Sequence, residues 1–156
     1  MSGFWLFKSE PDAFSIDDLE QCPNKKEGWD GIRNYQARNY MRDDAQVGDL
    51  VFVYHSSCKN IGIAGLAQIT QTGLVDPTQF DPDSKYFDPK STHDNPRWIM
   101  VELQHKETFN QVLSTKQIKE MPQIQQLPLL RKGHRLSIMP VEETEFEMLL
   151  AAAREL

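Results

Sequence analysis

The chain has 156 residues and a net charge of −6, with 39% hydrophobic and 26% charged residues. That is ordinary single-domain composition, long enough to bury roughly 68–70% of its unfolded surface without a metal or disulfide staple. No apolar run approaches the ~18 residues that span a bilayer, and Met1 to Glu10 lacks the pattern of a secretory signal. Cys22 and Cys58 form no CxxC pair, which argues against a zinc finger or a disulfide framework and fits a reducing, cytoplasmic setting. The last 16 residues carry five glutamates against Arg154, so −4 of the charge sits there and the rest of the chain is near neutral. Such a body supports a local basic face but not nucleic-acid binding by bulk charge.

In chain order, Gly3 to Ser9 is an aromatic-rich run that reads as a buried strand stopped by Pro11. Ser15 is placed to cap a short helix with Asp17 and Asp18 in its first turn, and Pro23 ends it. Lys25 to Gly31 reads as a polar loop holding one large apolar residue, Trp29. A second helix is expected over 34–43, with Asn34, Arg38 and Arg42 sharing a face. Leu50 to Tyr54 is a continuous β-former run, hence a central strand. Ile61 to Thr70 is a further strand whose Gly and Ala residues admit a close neighbour.

Residues 76–96 hold four of the nine prolines and five aspartates, the pattern of a functional or covering loop. Asp81-x-Asp83 opens like a calcium loop but has Tyr86 and Thr92 where glycine and glutamate are needed, so it reads as turns. Trp98 to Gln104 resumes as a strand. Ser114 and Gln117 form a capping box, Arg131 to Arg135 is a basic turn, and Leu136 to Met139 is a short strand. Residues 142–154 make an amphipathic helix. Short strands mixed with short helices point to an α+β class: a small, mixed but mostly antiparallel β barrel of five to six strands surrounded by short helices.

Three clusters carry candidate chemistry. Lys8, Ser9 and Glu10 follow Trp5 at a strand end, where barrels commonly place ligand sites. Trp29 to Tyr40, with Arg42, interleaves arginines, asparagines and aromatics, which suits either nucleic-acid contact or a solvated helix face. Tyr54 and His55 end the central strand. A hydrolase built on Ser9 or Ser56 with His55 stays open, although no GxSxG elbow supports it. There is no Walker loop, GxGxxG or HExxH, so no cofactor and no metal is expected.

The chain resembles the EVE domain family. The resemblance rests on Trp5–Pro11 (WLFKSEP), Trp29–Asn39 (WDGIRNYQARN), Tyr54-His55-Ser56, Gly62–Ala67, Asn95–Trp98 and Arg135–Ile138. It covers nearly the whole chain as one domain, 1–156. It implies a PUA-like pseudo-barrel, related to the YTH readers, that binds nucleic acid without catalysis and accepts a flipped, modified base. Modified cytosine in DNA is favoured, and a modified RNA or tRNA base is the alternative. The implied base pocket is Lys8, Ser9, Glu10, Trp29, Asp30, Tyr54 and His55, with Arg33, Asn34, Arg38, Arg97, Arg131 and Ser137 at the backbone or rim. Eukaryotic members carry an extra basic N-terminal segment, so the chain resembles the stand-alone bacterial type. A protein partner that delivers the nucleic acid is a further expectation; a groove for proteins alone is the remaining rival.

Overall fold

The aromatic run at the start of the chain becomes an interior strand of a sheet, next to its edge. A computed structural model describes residues 3–156; Met1 and Ser2, the start of the segment read as lacking a secretory signal, lie outside the described residues. The strands are β1 (Phe4–Ser9), β2 (Lys26–Gly28), β3 (Leu50–His55), β4 (Gly62–Val75), β5 (Ile99–Ser114) and β6 (Ile138–Pro140). They form one sheet in the order β2-β5-β4-β3-β1-β6. Among the described residues only β1 and β3 run parallel, with Phe7 opposite Val53 and Ser9 opposite His55. The expected mixed, mostly antiparallel α+β architecture is what forms.

Among the described residues four α-helices flank the sheet: α1 (Ile16–Gln21), α2 (Tyr35–Asn39), α3 (Thr115–Lys119) and α4 (Glu143–Arg154). Ser15 and Ser114 cap α1 and α3 through reciprocal bonds with Asp18 and Gln117. Past α2 the chain continues as a π-type turn, Tyr40–Asp44, so the helix expected over 34–43 is present in two parts. Two expectations needed lengthening: β4 runs on to Val75 and β5 to Ser114. The loop expected at 25–31 contains β2, a three-residue edge strand that pairs with β5 through its backbone.

Side-chain alternation along the strands divides the core in two. Trp5, Phe7, Val51, Val53 and Leu103 face α1, α2 and Trp29. Leu6, Phe52, Ile63 and Leu113 face α3 and α4, where Phe52 stacks on Phe146 with ring centroids 4.0 Å apart. Complete burial of side chains of this size contributes roughly 1.5–3 kcal/mol each. The first face is strongly curved. Trp29 directly follows β2 at one edge, yet its ring lies 5.8 Å from Phe7 on β1, four places away in the sheet. The curl needs small residues: a Cβ on Gly65 of β4 would sit 2.4 Å from Ile16 of α1.

The proline-rich loop is tied down rather than loose. Gln79 is fully buried. Its Nε2 donates to the carbonyls of Asp76 (2.6 Å) and Trp98 (2.8 Å), and its Oε1 accepts from the amides of Arg97 (3.0 Å) and Trp98 (3.1 Å). One amide thus satisfies both ends of the loop. Replacing Gln79 by Met keeps the volume and removes the partner of the Asp76 carbonyl and of the Trp98 amide, each costing about 1–3 kcal/mol, while the Trp98 carbonyl keeps the Asp76 amide and the Arg97 amide keeps the Ser91 hydroxyl. The expected outcome is a loss of about 3 kcal/mol or more, which lowers Tm by roughly 6–12 °C in a chain of this size; an unchanged melting curve contradicts the staple.

Candidate base-binding cavity

A cavity of about 560 Å³ opens where the end of β1, the Trp29 segment and the proline-rich loop meet. Its size falls within the usual range for small-ligand sites, roughly 300–1,000 Å³. Trp29 forms the floor. Its indole is 6% exposed and is held at 5.8 Å from Phe7 and edge-on at 5.9 Å from Phe14, while its amide donates to Val101. Three sites can thus fix the orientation of one aromatic surface before any ligand arrives.

Lys8, Ser9 and Glu10 supply one wall because β1 ends there. The Ser9 hydroxyl donates to the Phe14 carbonyl at 2.5 Å, and the Ser9 carbonyl accepts from the Ser56 amide. Burial pushes the Lys8 ammonium below its ordinary pKa. Glu10 is exposed at the mouth. Asp30 also lines the cavity, and its carboxyl is raised by partial burial and then by the negative charges of Asp76 and Glu27.

The remaining wall comes from residues that sequence reasoning did not select. Lys85 and Tyr86 reach the cavity from the proline-rich loop, and Glu27 and Phe14 add to the lining beside Ser56 of the Tyr54-His55-Ser56 motif. The expectation of a covering loop over 76–96 pointed toward Lys85 and Tyr86, and no signal pointed toward Glu27 and Phe14. Gly31 explains the close fit: its φ is +80°, and a Cβ there would meet the Tyr86 ring at 2.8 Å. A buried carboxylate organises this wall. Asp76 accepts from the Gly31 amide (2.8 Å), the Arg33 guanidinium (3.0 Å), and the amide and hydroxyl of Thr78.

The arginines stand differently from the expectation. Arg33 spends its donors on Asp76, Thr78 and the carbonyls of Ile32 and Tyr86. Arg38 donates to Asn39 and to the Arg97 carbonyl, and its guanidinium lies 4.7 Å from the Tyr35 ring centroid. Asn34 caps α2 by accepting from the Ala37 amide. Arg42 pairs with Asp43. Each of these side chains is bonded within the protein, and none of them lines the cavity. Arg97 points its guanidinium at the Tyr35 hydroxyl, 3.5 Å away, outside the cavity lining. Arg131 belongs to a separate cavity of about 440 Å³, whereas Ser137 lines the main one.

Tyr54 and His55 do not line this cavity. Tyr54 lies on the α3–α4 side of the sheet, and its hydroxyl shares a 2.6 Å hydrogen bond with Thr115. His55 accepts from the Ile16 amide through Nε2 at 3.1 Å, which occupies it at the start of α1. Ser9 donates to the Phe14 carbonyl and His55 accepts from the Ile16 amide, so Ser9 and His55 are not bonded to each other. Among the described residues no cluster of potential metal ligands occurs.

The EVE domain family model matches residues 3–152. The chain belongs to the EVE domain family. It is 38% identical to human thymocyte nuclear protein 1 over 167 residues, covering 97% of this chain and 74% of that protein. A crystal structure of a Pseudomonas syringae protein superposes with a TM-score of 0.90 at 47% identity, covering 96% of this chain and 99% of the other. The crystal structure of human THYN1 protein in complex with 5-methylcytosine-containing DNA superposes with a TM-score of 0.90 at 36% identity, covering 96% of each chain. The EVE fold expected from the motifs is therefore the observed one. No described helix is long and apolar enough to cross a membrane.

The histidines make a prediction about pH. Burial pushes His55, His105 and His134 below the ordinary imidazole value. A depressed folded-state pKa gives stability that is complete above the unfolded value, about 6.5, and is lost as pH falls from there through the folded pKa. Thermal melts between pH 7.5 and 5.5 should therefore show Tm falling with pH, and His55→Gln should flatten part of that slope. A Tm that rises toward pH 5.5 contradicts the burial of these rings.

Proposed function

We propose that the chain is a non-catalytic nucleic-acid-binding module whose cavity accepts one base turned out of its strand, a modified cytosine in DNA being the favoured ligand. The observation that carries this reading is the combination of a packed indole with two carboxylates in the lining of the same cavity: Trp29 with Glu10 and Asp30. A base leaving its stack loses a few kcal/mol. Stacking on an aromatic returns about 1–3 kcal/mol, and hydrogen bonds along the Watson–Crick edge supply the rest. Cytosine presents an N4 amino donor, for which a carboxylate is the matching acceptor. The relative crystallised with 5-methylcytosine-containing DNA supports the same ligand class.

The reading assigns specificity to the cavity rather than to charge. Arg33 and Arg38 are engaged within the protein, and the net charge is −6. Affinity for nucleic acid is accordingly modest, and a partner protein that presents the strand is part of the proposal. Cys22 and Cys58 are both free thiols, which suits action in the cytoplasm.

Glu10 is the cleanest probe because it is exposed and its loss leaves the core intact. Binding of wild type and Glu10→Ala to single strands carrying 5-methylcytosine, cytosine or thymine, and to the RNA counterpart, should show a preference for the methylated cytosine in wild type. Glu10→Ala should lose cytosine-over-thymine discrimination by about 1–3 kcal/mol, roughly 5- to 150-fold, without a change in Tm. Equal discrimination by the two proteins rules out Glu10 as the reader, and equal binding of all strands by wild type rules out the cavity reading.

A further inference from the structure

A strand of nucleic acid is a polyanion, yet the cavity that would take its base is acidic. Glu10, Glu27 and Asp30 all line it, and all three are exposed to whatever enters. Asp76, just behind this wall, is a different kind of carboxylate. It is 1% exposed, and its charge is met by Arg33 at 3.0 Å. Among the described residues no cation pairs with the three that face the cavity. Glu27 accepts only from neutral groups, the Gly28 amide at 3.1 Å and the Cys22 thiol at 3.7 Å.

The two lysines of the lining do not offset this charge. Side chains alternate along β1, so Lys8 shares a sheet face with Leu6 and its cross-strand neighbour Tyr54, not with Phe7 and Trp29. Its ammonium lies 5.9 Å from the centroid of the Tyr54 ring, outside the cavity lining. Lys85 is exposed on the proline-rich loop, with its ammonium 5.1 Å from the Tyr86 centroid. An indole beside unneutralised carboxylates is suited to an organic cation. The ring face attracts positive charge, by about 0.5–2 kcal/mol, and carboxylates accept charge-assisted hydrogen bonds roughly twice as strong as neutral ones. In a nucleic acid, a base gains fixed positive charge when a ring nitrogen is alkylated. Cytosine methylated at N3 carries that charge next to its N4 donor. It has also lost the acceptor it pairs through, so it leaves the stack at lower cost than an intact base.

We propose that the cavity selects a cationic base, N-methylated on its ring, with N3-methylcytosine as the cytosine of this class, and that Glu27 and Asp30 select it over the neutral C5-methylated base. The proposal rests on the base-cavity reading for where the base sits, and adds positive charge as the feature that is read. The two carboxylates stand on either side of Trp29 in one short stretch, so a base lying against the indole meets both. The negative charges of Asp76 and Glu27 already act on the Asp30 carboxyl, and a cation seated beside it relieves that repulsion.

Single strands of one sequence, carrying N3-methylcytosine, 5-methylcytosine or cytosine at one position, test it without any contribution from base pairing. Each is titrated into wild type, Glu27→Gln, Asp30→Asn and Glu155→Gln. Wild type should bind the N3-methylated strand roughly 10-fold more tightly than the C5-methylated one. Glu27→Gln and Asp30→Asn should each reduce that ratio by roughly threefold or more. Glu155 is exposed just past the end of α4, which packs on the other face of the sheet from Trp29. Glu155→Gln removes the same charge there and should leave the ratio within about twofold. Wild type that binds the C5-methylated strand at least as well as the N3-methylated one overturns the proposal and leaves the base-cavity reading standing. Wild type that binds none of the strands overturns both. A ratio that survives both cavity substitutions, or that falls as far in Glu155→Gln, also overturns the proposal, because the charge is then not read in the cavity. All three substituted residues are exposed, and unchanged melting curves confirm that each variant keeps its fold.

Discussion

One buried carboxylate holds the walls of the cavity together. Asp76 is 1% exposed and accepts hydrogen bonds from Gly31, Arg33 and Thr78. Through Gly31 it sets the position of the segment that carries Trp29 and Asp30. Through Arg33, which also donates to the Tyr86 carbonyl, it sets the position of the proline-rich loop. Removing one partner from a buried pair of this kind costs about 3–5 kcal/mol, because the other charge is left without compensation. Gln79 repeats the principle three residues later with a neutral group. A loop that would otherwise be mobile becomes a wall, and the wall supplies Tyr86.

The cavity is a product of the sheet's curl. β2 is short and pairs only with β5, so the chain leaves it early and turns Trp29 inward onto Phe7 of β1. Glycines at 65 and 31 permit the two close approaches on which this depends, one to α1 and one to the Tyr86 ring. The result places an indole beneath a partly dehydrated space whose walls carry both signs of charge: Lys8 and Lys85 against Glu10, Glu27 and Asp30. The opposed shifts of Lys8, pushed down, and Asp30, pushed up, express the same physical fact, that each charge has lost water there without gaining a full partner. Paired donors and acceptors awaiting a polar edge are what a flat heterocycle with an amino group requires.

Much of the fold is legible in local pattern. The run Leu50–Tyr54 and the serines at 15 and 114 act through their near neighbours, and each forms the element its pattern implies. β2 is not legible, because Lys26, Glu27 and Gly28 have no strand preference and are held by backbone bonds to a strand some 75 residues later. The candidate site divides along the same line. Lys8, Ser9, Glu10, Trp29, Asp30 and Ser137 lie on the cavity, and the first five stand in two short continuous stretches. Tyr54 and His55 are adjacent to that end of the sheet but are turned to Thr115 and Ile16, which a strand sequence alone does not reveal. The internal bonds of the arginines are not legible for a physical reason: guanidinium donors suit phosphates and backbone carbonyls equally, and here carbonyls distant in sequence accept from Arg33 and Arg38.

The central claim is that recognition occurs one base at a time, in the space above Trp29. A crystal structure of this chain bound to a short DNA carrying a single 5-methylcytosine tests it most directly. The account predicts the methylated base out of its stack and seated against the Trp29 indole, with its amino group toward Glu10 or Asp30. A complex in which the methylated base remains stacked in the DNA while the cavity stays empty contradicts it.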